Sequence, residues 1–117
     1  MPIEDRRGIE RGVIQRAHLL NSTLADVYGP QNAIRDGVIP ASLVATSEHF
    51  HRAAHGIDPA NGVRIQVSGI DLIRDEVGTW RVLEDNVRVP SGVSYVISNR
   101  RVMAQTLPEL FQQMRIQ

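Results

Sequence analysis

The sequence predicts an α+β fold: a long N-terminal helix followed by short helices, an antiparallel β-hairpin or small sheet, and C-terminal helices. Two patterns carry this. Val13, Ala17, Leu20, Leu24 and Val27 recur at spacings of four, three, four and three, which is one apolar stripe on a helix. Further on, apolar runs on either side of Asp75 to Gly78 bracket a stretch of turn composition, as a hairpin requires.

The first helix is expected from about Ile9 to Tyr28, where Gly29-Pro30 stops it. Gln31 to Asp36 is bracketed by Pro30 and Gly37 and reads as a short helical segment. Pro40 opens another short turn, Ala41 to Ala45. Ser47 to Gly62 is polar, His-rich and broken by Gly56, Pro59 and Gly62, so it reads as a loop with room for one helical turn. Val63, Ile65 and Val67 then alternate with polar residues, Ser68-Gly69 interrupts, and Ile70 to Ile73 resumes. This predicts one bent strand with a bulge at the glycine. Trp80 to Asn86 is its partner. Val93 to about Thr106 has a helical pattern, with Val96, Arg100 and Met103 in line and Ser91 or Ser94 as the expected N-cap. Pro108 starts a last short helix, Glu109 to about Arg115.

At 117 residues the chain is expected to form a single domain with one modest core, burying roughly two-thirds of its unfolded surface. Hydrophobic content is 42% but aromatic content only 4%, so that core must rest on Leu, Ile, Val and Ala. The formal net charge is +0, which offers no attraction to nucleic acid or to an anionic membrane. All 13 basic residues are Arg, in keeping with GC-rich codon usage. With no Cys there are neither disulfides nor thiolate metal sites, and a reducing cytoplasm is the expected compartment. No signal peptide or transmembrane span is expected.

Chemistry concentrates in W-R-V-L-E-D-N-V-R, Trp80 to Arg88. On a strand, Glu84, Asn86 and Arg88 fall on one pleat face. A carboxylate and an amide oxygen are hard ligands suited to Mg²⁺, and a guanidinium beside them suits phosphate or a developing oxyanion. If the hairpin turn is centred between Glu76 and Val77, Asp71 lies opposite Val82, and Trp80, Val82, Glu84 and Asn86 share its face. Asp71 and Glu84 are then diagonal neighbours with Cβ atoms roughly 7 Å apart. A one-residue slip would put Asp71 on the other face. After the strand, Pro90-Ser91-Gly92 leads into a helix N-terminus, where free backbone N–H groups can meet an anion.

Other polar clusters admit two readings. His49, His51 and His55 form either a zinc site, which would make zinc co-purify, or a solvated loop with a turn at His55-Gly56. Gln15, Arg16, His18 and Asn21 form a solvated face, or Arg16 or Asn21 meets a ligand. Tyr95, Asn99 and Arg100 on the later helix carry the same alternatives.

These residues also carry a family resemblance. E-R-G-V-I-Q-R-A-x-L-L-N at Glu10 to Asn21, L-A-D-V-Y-G at Leu24 to Gly29 and D-G-V-I-P at Asp36 to Pro40 resemble the circularly permuted ATP-grasp proteins. So do H-G-I-D-P from His55, S-G-I-D-L-I-R-D from Ser68, V-L-E-D-N-V-R-V-P-S-G-V-S-Y from Val82 and N-R-R-V-M from Asn99. The resemblance runs from about Glu10 to Phe111. It implies an ATP-dependent carboxylate–amine ligase working through an acyl phosphate, with ATP between two α+β lobes and Mg²⁺ on its phosphates. It further implies Asp71, Glu84 and Asn86 as metal ligands, Arg88 as the catalytic contact to phosphate or acyl intermediate, and Ser91, Gly92 and Arg100 as nucleotide contacts.

Family enzymes are several times longer, so residues 1–117 read as a fragment of a larger permuted ATP-grasp protein. The second lobe or a partner chain would complete it, and the isolated chain is expected to be inactive. The expected partners are ATP and a carboxylate and amine substrate pair, with no nucleic acid and no membrane. The alternative is a non-catalytic module that docks, or forms a homo-oligomer, through an exposed apolar face.

Overall fold

The structure, a computed structural model, describes residues 3–113. Helix α1, Ile3–Val27, carries Glu4 and Asp5 in its first turn, where acidic groups face the positive end of the helix dipole. It begins six residues before the stripe predicts, because Arg6, Arg7 and Glu10 are good helix formers that periodicity does not register. Ile9, Val13, Ala17, Leu20, Leu24 and Val27 are its half-buried stripe.

The helix ends where Gly29 turns back. A Cβ at this position would stand 2.6 Å from the Ala25 carbonyl oxygen, so any side chain would force the backbone to move. Asp26 then stitches the exit to α2, Asn32–Arg35, by accepting the backbone N–H groups of Asn32 at 2.8 Å and Ala33 at 2.9 Å. The Ala33 N–H, joined by that of Asn32, holds the Asp26 carboxyl below its ordinary value of 3.8. A carboxyl depressed by folding stabilises the native state fully above 3.8 and loses that contribution as pH falls through the lowered native value. The Asp26 carboxyl carbon should therefore titrate below 3.8 by ¹³C NMR, and a midpoint at or above 3.8 would contradict this bonding.

Helix α3 is Ala41–Ala45, as expected. The loop after it holds two single 3₁₀ turns, Arg52–Ala54 and Ala60–Gly62. Val63 to Val67 is not a strand. Its backbone is claimed by α1, where the Asn21 amide donates to the Gly62 carbonyl at 3.0 Å and accepts the N–H groups of Arg64 at 2.8 Å and Ile65 at 3.3 Å. With those groups satisfied by a helix side chain, the alternating pattern has no ladder to join.

Strands β1, Gly69–Arg74, and β2, Trp80–Asn86, form a two-stranded antiparallel sheet. Asp75 closes the turn: its N–H donates to the Thr79 carbonyl, and its carboxylate accepts from the Thr79 N–H at 2.7 Å and from Arg81 at 2.9 Å. That leaves a three-residue loop with Gly78 in the left-handed region at φ 84°. The loop is centred on Val77, half a residue later than expected, so Leu72 pairs with Val82. Continued unchanged, this register would set Asp71 against Leu83. The ladder instead shifts between Leu72 and Asp71, and Asp71 pairs with Glu84. The bulge thus lies at Leu83 on β2, not at Gly69.

Helix α4, Val93–Thr106, and α5, Pro108–Gln113, complete the described chain, and Arg115, the expected end of the last helix, lies outside the described residues. No described helix is long and apolar enough to cross a membrane.

The expected core is absent among the described residues: none is buried. Accessible surface is 9793 Å², against roughly 6,300 Å² for a compact protein of this length. The radius of gyration is 18.6 Å, against roughly 13 Å. Apolar residues gather instead in two shallow patches. One joins Leu24 and Val27 of α1, and Tyr28 just after it, to Ile39, Val44 and Phe50; the other joins Ile9 and Val13 to Leu72, Trp80 and Val82.

Candidate functional site

The hairpin sorts its residues between two faces, and α1 decides which is which. Arg16 grips Asp85 with Nε at 2.6 and 2.7 Å from the two carboxylate oxygens and Nη2 at 2.6 Å. This charge-assisted pairing raises the Arg16 pKa, the hydrogen bond to Asp85 being the main cause. Asp85 therefore points to the helix, with Ile70, Leu72 and Trp80 half-buried on the same side. Glu84 and Asn86, its neighbours in the chain, point the other way and are exposed, as is Asp71.

Trp80 and Val82 correct the sequence expectation. They line the groove against α1 with Leu72 and do not share the face of Asp71, because the unpaired Leu83 reverses the alternation. The same reversal keeps Asp71 with Glu84 despite the shifted turn, and in a closer relation than expected. The two are direct cross-strand partners, a position in which Cβ atoms stand about 5 Å apart.

On the exposed face the Asn86 amide nitrogen sits 3.1 Å from Glu84 Oε1 and 3.5 Å from Asp71 Oδ2. Two carboxylates thus converge with only the positive end of an amide dipole between them. Among the described residues no group of three or more His, Cys, Asp or Glu is placed to hold a metal, and the Asn86 amide turns its nitrogen, not its oxygen, toward the two carboxylates.

Gly69, paired with Asn86, makes room for the turn after β2. A Cβ on it would meet Pro90 Cβ at 3.3 Å, so the glycine lets the Pro90-Ser91-Gly92 turn press against the foot of β1. Neither serine caps α4. Gly92 occupies the cap position at φ 84°, a conformation in which a serine would be strained, and no side chain bonds to the first turn. The N-terminal end of α4 thus lies directly after the base of the hairpin.

Arg88 and Arg100 diverge. The Arg88 guanidinium meets His49 from the loop after α3, with Nη1 2.9 Å from Nδ1 and 3.2 Å from Nε2. Arg100 lies about 12 Å along α4 from Gly92 and stands over the Phe111 ring at 5.8 Å. The structure thus brings together Asp71, Glu84 and Asn86, sets Arg88, Ser91 and Gly92 after them, and places Arg100 with α5. The His cluster is not a metal centre among the described residues, since His49 turns to Arg88. Arg16 and Asn21 both serve the fold. Sequence reasoning singled out His49 only within the His cluster and passed over Asp85: nothing local marks a histidine 39 residues from Arg88 as its partner, but strict alternation does set Asp85 opposite to Glu84 and Asn86.

Comparison with known proteins gives this geometry its context. An uncharacterized protein of Mycobacterium tuberculosis is 60% identical over 108 residues, covering 92% of this chain and 20% of the relative. A Synechocystis protein is 50% identical over 111 residues, covering 95% and 23%. A Frankia casuarinae protein named "Putative glutamate--cysteine ligase 2-2" is 39% identical over 107 residues, covering 92% and 12%. The chain therefore spans about a fifth, or less, of the length of these relatives. Residues 2–117 match the family described as circularly permuted ATP-grasp type 2, and the chain belongs to that family.

Proposed function

We propose that this chain is the metal-binding portion of an ATP-dependent carboxylate–amine ligase that works through an acyl phosphate. The observation that carries the proposal is the convergence of Asp71, Glu84 and the Asn86 amide on one exposed patch, within a chain of this family. The donor set fits Mg²⁺, because the two carboxylates are hard oxygen ligands and the Asn86 amide, which now donates its N–H to them, would supply a third oxygen by turning over. Bound Mg²⁺ would neutralise the phosphates of ATP.

The chain's own residues then divide the work. Asp71, Glu84 and Asn86 would hold the metal of the nucleotide on the two-stranded ribbon. Arg88 supplies a guanidinium to the charge that builds on the transferred phosphoryl group or on the acyl oxygen. The uncapped N–H groups after Gly92 receive a phosphate oxygen. In the reaction the substrate carboxylate attacks the γ-phosphorus and ADP leaves. The amine then attacks the acyl carbon and expels inorganic phosphate. One carboxylate oxygen therefore ends in phosphate.

That transfer is the test. Using the longest protein that carries this segment, with ¹⁸O-glutamate and cysteine as the first pair on the strength of the relative's name, ¹⁸O should appear in phosphate in step with ADP. ATP hydrolysis in which the phosphate oxygen comes only from water would refute the acyl phosphate.

The remainder of the ligase is the expected cover for the apolar surface of α4. Every residue of that helix except Ala104 is exposed, with Tyr95 at 74% and Val96 at 68%. A solvated helix has no use for seven such side chains, Val93, Tyr95, Val96, Ile97, Val102, Met103 and the following Leu107.

A further inference from the structure

We infer that His49 is a positioning residue for Arg88, an inference that rests on the proposed role of Arg88 in phosphoryl chemistry. The histidine stands on a loop 39 residues away in sequence, yet both ring nitrogens lie within 3.2 Å of Arg88 Nη1. The guanidinium therefore abuts the Nδ1–Cε1–Nε2 side of the ring, and in either neutral tautomer one of these nitrogens offers a lone pair.

The loop that presents the ring is itself tied down. Phe50 stacks on Tyr28 at 5.1 Å, the His51 N–H donates to the Tyr28 hydroxyl at 3.3 Å, and the Gly56 N–H donates to the Tyr28 carbonyl at 2.8 Å. The His49 N–H in turn donates to Ser47 Oγ at 3.4 Å. The end of α1 thus holds the loop, and the loop holds the arginine. This gives the tyrosine of L-A-D-V-Y-G a mechanical role in the site.

The choice of imidazole has a consequence. An Arg side chain carries much rotamer freedom, and a carboxylate partner would fix it at the expense of its charge. Among the described residues no carboxylate makes an ion pair with Arg88. An imidazole against the guanidinium restrains it without the fixed counter-charge a carboxylate would bring, and leaves its positive charge for an anionic phosphoryl or acyl oxygen.

The experiment compares H49A, H49N, R88A and H49A/R88A, with E84Q alongside, in the longest protein that carries this segment. H49A should lower kcat about tenfold to a hundredfold with little change in KM for ATP, as expected when an aligned group is loosened. H49N keeps an acceptor near the Nδ1 position and should restore most of the loss. In the R88A background H49A should cost nothing further. Independently of turnover, the Arg88 guanidinium ¹⁵N signals should show hindered rotation in the 117-residue chain, averaged in H49A and retained in H49N. Unchanged kcat and unchanged Arg88 signals in H49A, or an equal loss in the R88A background, would overturn the inference. If E84Q keeps full turnover the ligase reading itself fails; if E84Q is inactive and H49A is silent, only the role of His49 fails.

Discussion

Glu84→Gln is expected to lower ATP-dependent acyl transfer on the order of a hundredfold or more, because it removes one of the two charges that would hold the cation while keeping size and hydrogen-bonding shape. Glu84 is exposed and its side chain makes a single hydrogen bond among the described residues, to Asn86, so the fold should be unaffected. Asp71→Asn should have the same effect, since the two residues are paired across the ladder. Leu83 offers a subtler control. Deleting it would remove only the bulged residue: regular alternation from Val82 would still set Glu84 opposite Asp71, Asp85 toward α1 and Asn86 outward. The row should therefore survive the deletion, and activity should fall far less than in Glu84→Gln. Phosphate release and thermal unfolding measured together check this: a large loss of rate with an unchanged melting curve for Glu84→Gln is the expected pair.

Val96→Asp is expected to act in opposite directions on the isolated chain and on the longer protein. In the isolated chain Val96 is 68% exposed, so a charge there should change folding little and should reduce self-association. In the longer protein the same charge would be buried against the rest of the ligase and should cost about 3 kcal/mol or more. Light scattering of the chain and thermal unfolding of the longer protein give the two readings. If the substitution disperses the chain and leaves the longer protein unchanged, the occupant of α4 is a second copy and the docking alternative is the better account.

Much of this structure was legible from local pattern. Ala41–Ala45 and Val93–Thr106 were placed to the residue, and Asn32–Arg35 within its Pro and Gly brackets, because punctuation by Pro and Gly acts through the backbone of its own neighbourhood. The hairpin was legible in the same way, but its register was not. A three-residue loop and a two-residue loop differ by half a step, and only Gly78 in the left-handed region selects the former. Asp71 exchanged Val82 for Glu84 as its direct partner yet stayed on the same face as Glu84, because the turn and the bulge at Leu83 each moved the ladder by one residue.

Misread parts depend on contacts distant in sequence. Val63 to Val67 alternates as a strand should, yet Asn21 takes its backbone groups. His49 has the look of a metal ligand until Arg88 is seen beside it. The core failed for a different reason: composition reports that apolar residues exist, but not that the layers needed to bury them lie within one chain.

The central claim, that Asp71, Glu84 and Asn86 form a divalent-cation site, is tested most directly by titrating the ¹⁵N-labelled 117-residue chain with Mn²⁺. Three protein oxygens should bind it weakly, with a Kd on the order of millimolar, and paramagnetic broadening should centre on residues 69–72 and 83–87. The doubly substituted D71N/E84Q chain should lose that broadening while keeping its spectrum. Broadening centred on the acidic first turn of α1, or surviving in the doubly substituted chain, would contradict the account.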